Sequence, residues 1–452
     1  MKKQLLLLSS VFFLPLFIQA QSWTIQNSAF TLVGAYPADI AAADSMNVWA
    51  VAYDGSGTNV GIQEFTRTTN GGTLWTSGTV FADTNYRFSN IAALSGSTCY
   101  AMMFNNTAQS GGYIFKTTDG GMNWSKVDSG NIFTGASFPD FMYFWSDSVG
   151  FALGDPNGGY FEIYTTNDAG TTWTRVPQAN IPTNLSGEYA ITNDFDVQGN
   201  KIWAGTNKGR MLYSTDGGMN WSVVVVATAA TTISTVSFLD DGMNGIAIGT
   251  NSTGAVTGKF KSTNGGVSWS TLVPSGTMFA SDVVSIPGTH AFVSCGGNST
   301  ARGSSFSTSY GATWTLIDTA IGTGFNGYTE MDFYSTWAGW AGSFTASPTL
   351  DGMYKWVPGA LGVSSTENSF GDVHISPNPT SGMVNYDFVT AKNSTLNFAL
   401  TDLFGKKVFE KAFSTSAGKF HQSFDFSSLP SGMYFITLNS GLDSRTEKLI
   451  IH

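Results

Sequence analysis

Thr117-Thr-Asp-Gly-Gly-Met-Asn-Trp124 decides the fold, because the same pattern, Ser/Thr-x-Asp/Asn-x-Gly-x-x-Trp, returns along the chain. Further copies occupy residues 68–75, 166–173, 214–221 and 262–269, and a sixth at 307–314 carries Ser309 in place of the acid or amide. Their tryptophans, Trp75, Trp124, Trp173, Trp221, Trp269 and Trp314, stand 49, 49, 48, 48 and 45 residues apart. Upstream of each box lies an apolar strand, a polar turn and a second strand of aromatic and small residues. Met142-Tyr-Phe-Trp-Ser-Asp-Ser-Val-Gly-Phe-Ala-Leu-Gly154 is the clearest of seven such units, one more than the boxes.

That mismatch explains how the repeat ends. The seventh unit runs to Gly352-Met-Tyr-Lys-Trp356, a third strand with no fourth after it. Near the other end, Ser22-Trp-Thr-Ile-Gln26 reads as a fourth strand lacking its first three, with Trp23 52 residues before Trp75. Pairing the two closes a ring and leaves no open sheet edge. Four strands in each ~48-residue unit predict an all-β chain whose residues 21–358 form a seven-bladed β-propeller. A linear solenoid has no use for the displaced first strand.

The boxes resemble the Asp-box, or BNR repeat, of sialidases, sortilin-type receptors, some xyloglucanases and photosystem assembly-factor propellers. The resemblance covers about residues 21–357 and implies hairpin loops between the third and fourth strands of a blade. Asn70, Asp119, Asp168, Asp216 and Asn264 are expected to accept backbone N–H groups inside the turn. Gly72, Gly121, Gly170, Gly218, Gly266 and Gly311 are expected in the left-handed region, and each tryptophan beneath its loop. The sixth loop, with Ser309, is expected to be the loosest. In these families the boxes lie opposite the ligand face, so they are read as staples rather than as ligand or calcium sites.

Only 12% of residues are charged, Gly numbers 52, and the formal net charge is −10, a composition of short strands and tight turns. An acidic, lysine-poor surface repels nucleic acid and anionic lipid, so neither is an expected partner. Residues 1–20 read as a signal peptide: Lys2 and Lys3, an apolar run from Leu5 to Ile18, then Gln19-Ala20. No later run is apolar enough to insert in a membrane. Cys99 and Cys295 fall in blades II and VI, which are not neighbours, and a disulfide needs Cα atoms within roughly 7 Å, so both are expected free and mostly buried.

The search for chemistry narrows quickly. Of four histidines only His290 lies in the propeller, in a turn, which excludes a multi-histidine zinc site there and restricts any Ser-His-Asp triad to that one residue. The segments at residues 54–57 and 154–158 lack the periodic ligands of a calcium loop. No cofactor or metal is implied. Glycoside hydrolysis needs only two carboxylates, but the Arg-Ile-Pro motif of sialidases is absent. The propeller's arginines are just Arg67, Arg87, Arg175, Arg210 and Arg302, and xyloglucanases of this class pair two propellers where this chain has one. The expected ligand face is formed by the loops opposite the boxes, carrying Asp54, Tyr86, Arg87, Asp140, Asp155, Tyr160, Glu188, Tyr189, Arg210, Arg302, Tyr328 and Glu330. These suit a non-catalytic module that binds a glycan or protein; the alternative is a secreted glycoside hydrolase using loop carboxylates.

Residues 359–371 read as a linker. Beyond it, residues 372–452 carry Ser376-Pro-Asn-Pro-Thr-Ser-Gly382, Asp402-Leu-Phe-Gly-Lys-Lys-Val408, Leu429-Pro-Ser-Gly-Met-Tyr-Phe-Ile436 and Lys448-Leu-Ile-Ile451. This resembles the type A C-terminal sorting domain of the type IX secretion system of Bacteroidetes-type bacteria. The landmark positions are Pro377, Asn378, Pro379, Gly382, Gly405, Lys406, Gly432, Tyr434 and Lys448. The resemblance implies a small Ig-like sandwich recognised by the outer-membrane translocon, then removed, leaving cargo outside the cell or on its surface.

Overall fold

The computed structural model describes residues 21–57, 61–128, 132–133, 137–298, 301–319, 327–347, 350–358, 374–390, 394–402, 407–415, 418–440 and 443–452. The expected signal peptide and linker, together with Gly405 and Lys406, lie outside them. The chain divides into two compact units, Met1–Ala360 and Leu361–His452.

The first unit holds seven antiparallel four-stranded sheets, each a blade of a β-propeller. The innermost strands, blades I to VII, are Ala35–Ala42, Tyr86–Ala93, Pro139–Phe144, Ala190–Gln198, Thr232–Phe238, Asp282–Ser285 and Glu330–Ser335. Each packs against the next, and Glu330–Ser335 returns to Ala35–Ala42. Closure follows the expected route. Ser22–Asn27 is the outer strand of blade VII, paired antiparallel with Gly352–Val357 so that Trp23 faces Trp356. Their rings meet edge to face at 5.1 Å, and the Trp23 indole N–H donates to Ser304 Oγ in blade VI at 2.9 Å, stapling the seam to its neighbour. Cys99 and Cys295 are free and buried, as their blade positions require.

The box loops show why their residue types are needed. In blade II, Thr117 Oγ1 donates to Asp119 Oδ1 and accepts the Gly121 N–H, both at 2.9 Å, while Asp119 Oδ1 accepts the Asn123 N–H at 3.0 Å. These bonds, the Asn123 N–H foremost, hold the exposed Asp119 carboxyl down to about 2. All six box glycines have φ between 79° and 87°. At Gly121 a Cβ would also lie 2.2 Å from Phe65 Cζ in blade I, so the glycine serves both backbone and inter-blade packing. The sixth loop keeps the same ladder: Ser309 Oγ accepts the Thr313 N–H at 2.8 Å and Ser307 Oγ the Gly311 N–H at 3.0 Å. A serine hydroxyl therefore replaces the carboxylate in both bonds, while its contact with Ser307 Oγ is longer, at 3.3 Å, than the 2.9 Å of Thr117 to Asp119. Trp75, Trp221 and Trp314 are buried, whereas Trp124, Trp173 and Trp269 are half-buried.

The second unit is a sandwich. Strands His374–Ser376, Met383–Thr390 and Gly418–Asp425 form one sheet; Lys407–Thr415, Ser394–Asp402, Gly432–Ser440 and Asp443–Ile451 form the other. Alternate residues such as Val384, Tyr386, Phe398, Leu400, Ile436 and Leu449 fill the core. The proline motif docks by its amide: Asn378 Nδ2 donates to Lys448 O at 2.6 Å, and Asn378 Oδ1 accepts the Ile450 N–H at 3.0 Å. Gly382 has φ 137°, and Tyr434 Oη donates to Pro430 O at 2.7 Å.

Candidate functional site

An innermost strand is the edge of its blade, so its outward N–H groups face the axis without a strand to accept them. The chain answers with side-chain acceptors on the preceding blade. Asp39 Oδ2 accepts the Ile91 N–H at 2.6 Å, Asn90 Oδ1 the Met142 N–H at 3.0 Å, Asp282 Oδ2 the Met331 N–H at 3.0 Å and Asp332 Oδ2 the Ala42 N–H at 2.7 Å. Asp196 accepts from Phe238, Asp194 from Val236, and Ser237 Oγ from Ser285 at 2.9 Å. Across the remaining seam Asp155 accepts from the Ala190 backbone N–H, and Asp140 bonds to the Thr192 side chain. Every inter-blade seam thus carries at least one such link.

These acceptors wall an axial channel of about 560 Å³, lined by Asp39, Asp194, Asp196, Asp282, Glu330 and Asp332. Burial pushes their carboxyls up, to about 8 at Asp39 and about 6 at Asp196, Asp282 and Asp332, against the pull of the donated N–H groups. Asp194 and Glu330 are raised well above the usual range by burial and then by neighbouring carboxylates. Sequence reasoning placed Glu330 on a loop face and missed the others. Their signal was an acid, amide or hydroxyl beside the first apolar pair of a unit, as in Asp39-Ile40, Asn90-Ile91 and Asp282-Val283.

Other expected ligand-face residues separate into pairs. Asp140, 1% exposed, and Asp155 bond to each other, with Asp140 Oδ2 and Asp155 Oδ1 buried and without other donors. Burial raises Asp155 to about 7 and lifts Asp140 well above the usual carboxylate range, and their mutual bond raises Asp140 while lowering Asp155, so Asp140 keeps the shared proton. Glu188, 4% exposed, takes the Arg210 Nε–H at 2.8 Å and a second bond from Arg210 Nη2, together with the Thr206 hydroxyl and the Leu185 N–H, each at 2.8 Å. The expected ligand role of Glu188 and Arg210 is corrected: every bonding site of this carboxylate is used within the fold. Tyr328 is likewise corrected, being buried with its hydroxyl donating to Asp318.

The remaining residues stay at the end opposite the boxes. Tyr86 stacks on Tyr113 at 5.0 Å beside Phe81, and the Arg175 guanidinium lies 4.5 Å over Tyr160. Arg87 stands near Tyr36 and Tyr53, which pack edge to face on each other, and Tyr36 also packs on Phe344. Tyr189 is 48% exposed, Arg302 sits in the second hairpin of blade VI, and Asp54 caps its own turn by accepting the Ser56 N–H at 2.8 Å. His290 stacks on Tyr310 at 5.0 Å in its turn. Among the described residues no three His, Cys, Asp or Glu side chains are grouped to hold a metal, and no helix is long and apolar enough to cross a membrane.

Residues 374–452 match the family described as the secretion system C-terminal sorting domain. No curated protein matches the chain. Among solved structures, YCF48 bound to D1 peptide is similar at TM-score 0.50 and 18% identity, covering 76% of this chain and 98% of that one. YCF48 from Cyanidioschyzon merolae gives 0.52 and 15%, covering 75% and 99%. A Trypanosoma rangeli sialidase gives 0.43 and 10%, covering 95% and 88%. The two YCF48 likenesses show the propeller fold.

Proposed function

We propose that the propeller is a non-catalytic binding module that takes a glycan or protein ligand on the face opposite the boxes. The chain carries a type IX sorting domain, which directs it to the cell surface or the extracellular space. The observation that carries this reading is the group of half-exposed rings at that end, Tyr36, Tyr53, Phe81, Tyr86 and Tyr113, with Arg87 among them. Rings of this kind give large contact area at little cost in side-chain freedom. The carboxylates nearer the axis are committed to the backbone of the next blade. The similar YCF48 propeller, solved with a D1 peptide, adds support for a peptide ligand.

A glycoside hydrolase is the second reading, favoured by one observation: Asp155 protonates at about 7. Against it, glycosidases hold their two carboxyls ~5–9 Å apart across the scissile bond, whereas Asp140 and Asp155 bond directly. The mature protein is screened against peptide and glycan arrays, with hydrolysis followed in parallel. Binding without turnover, weakened by Tyr36→Ala or Arg87→Ala, supports the module. Turnover abolished by Asp155→Asn overturns it.

A further inference from the structure

Blade III puts a tryptophan where its sisters put aliphatic residues. In five blades the residue opening the turn between first and second strands donates its N–H back across that turn. These are Ala43, Leu94, Trp145, Leu239 and Ile286, bonding to Asn47, Thr98, Val149, Asn244 and Ala291 at 2.9–3.0 Å. Trp145 is the one aromatic among them. Its indole N–H donates to Gly199 O in blade IV at 2.7 Å, and its ring packs against Tyr143 and Phe151 at 5.4 and 5.5 Å, so its orientation is fixed by both blades.

Beside it a groove of about 610 Å³ opens between blades III and IV on the box face. Thr165, Asn167, Thr174 and Asn200 line it, and none of their side chains has a hydrogen-bond partner among the described residues, while Met219 lies 53% exposed at its edge. No lysine or arginine lines the groove. Its one carboxylate, Asp216, is consumed by its own loop, taking the Ser214 hydroxyl, the Met219 and Asn220 N–H groups and Asn220 Nδ2. What remains is an immobilised indole next to uncharged amides and hydroxyls. That combination complements a sugar ring, whose C–H face lies on an aromatic plane while its hydroxyls bond amides and hydroxyls. An anionic ligand finds no cation among the described lining residues.

We propose that this groove is a binding site for a neutral oligosaccharide. It lies on the end opposite the ligand face proposed above and stands independently of that reading. The test is calorimetry on the mature full chain with neutral gluco-, manno- and xylo-oligosaccharides, one uronic-acid oligosaccharide and a mixed peptide pool. A neutral oligosaccharide is expected to bind, with Trp145→Ala weakening it by at least about tenfold. Because Trp145 also packs internally, Asn167→Ala and Asn200→Ala provide the second arm: each is expected to weaken binding several-fold at an unchanged melting temperature. Neutral-sugar binding that survives all three substitutions overturns the groove while leaving the opposite face untouched. Failure of every neutral probe, or binding of only the acidic sugar or the peptides, overturns it outright.

Discussion

Replacing Asp39 by Asn should stabilise the propeller near neutral pH. The Asp39 carboxyl is buried at the channel wall and protonates at about 8 in the fold, against about 4 in an unfolded chain. Between those values the native state holds a proton that the unfolded state has released, so stability falls as pH rises from about 4 through about 8. Each pKa unit is worth about 1.4 kcal/mol, which sets a ceiling of ~6 kcal/mol above pH 8 and ~4 kcal/mol at pH 7. Water entry and relaxation around a buried acid reduce such penalties, and ~2 kcal/mol is the expected gain at about pH 8. Asn preserves the acceptor that Ile91 needs, as Asn90 already does for Met142 one blade on. Denaturant unfolding followed by tryptophan fluorescence reads the propeller alone, since all 13 tryptophans lie between residues 23 and 356. The gap between variant and wild type should shrink toward about pH 4, where both side chains are neutral. A wild type that gains stability between about pH 5 and 8, or a variant weaker at every pH, would refute the reasoning.

Gly121→Ala should destabilise blade II by ~1–3 kcal/mol, because its Cβ meets Phe65 Cζ at 2.2 Å on a backbone with φ 83°; a lowered unfolding midpoint checks it. Glu188→Ala should cost ~3–5 kcal/mol by leaving the Arg210 guanidinium buried without its partner, with ligand binding unchanged in whatever fraction folds, as calorimetry on that fraction would show. Trp221→Ala, at a buried box tryptophan, should cost ~3–5 kcal/mol in the same unfolding assay. Deleting residues 372–452 should leave the propeller in the periplasm; its appearance in the culture medium contradicts the export role of the sorting domain.

The blades were legible because their signal is periodic and local. A box sets a hydroxyl, a left-handed glycine and a tryptophan within eight residues, with an acid or amide in five copies and Ser309 in the sixth, and the spacing of the six boxes gives the length of the unit. The strand Ser22–Asn27 was legible for the same reason, since Trp23 continues that spacing. The pairings of the loop residues were hidden because they depend on which side of a blade a residue faces. Glu188 and Arg210, 22 positions apart, meet only after the intervening hairpin folds back. Asp140 and Asp155 sit on adjacent strands of blade III, and register shifts fall at both residues, between Pro139 and Phe141 and between Gly154 and Pro156, so simple alternation did not disclose their bond. The missing element at the box was its first residue: Thr117 both donates to Asp119 and accepts from Gly121, a double use that its mere presence in the pattern did not disclose.

The channel acids and the closure of the ring are one problem. Each innermost strand relies on an acceptor carried by the blade before it, so no blade can satisfy its own edge. Asp332 of blade VII caps Ala42 of blade I, and Ser22–Asn27 completes blade VII. Loss of the N-terminal strand therefore weakens the sheet that holds Asp332 and, through it, the first link in the circle. A neutral acceptor is sufficient at these seams, as Asn90 and Ser237 demonstrate by accepting backbone N–H groups without charge. Where the chain uses a carboxylate instead, it adds a group that raises its neighbours, as Asp332 raises Asp39 and Asp282 raises Asp332. The acids cannot all be ionised at low cost in a channel of this size, so their protonation is coupled from one seam to the next.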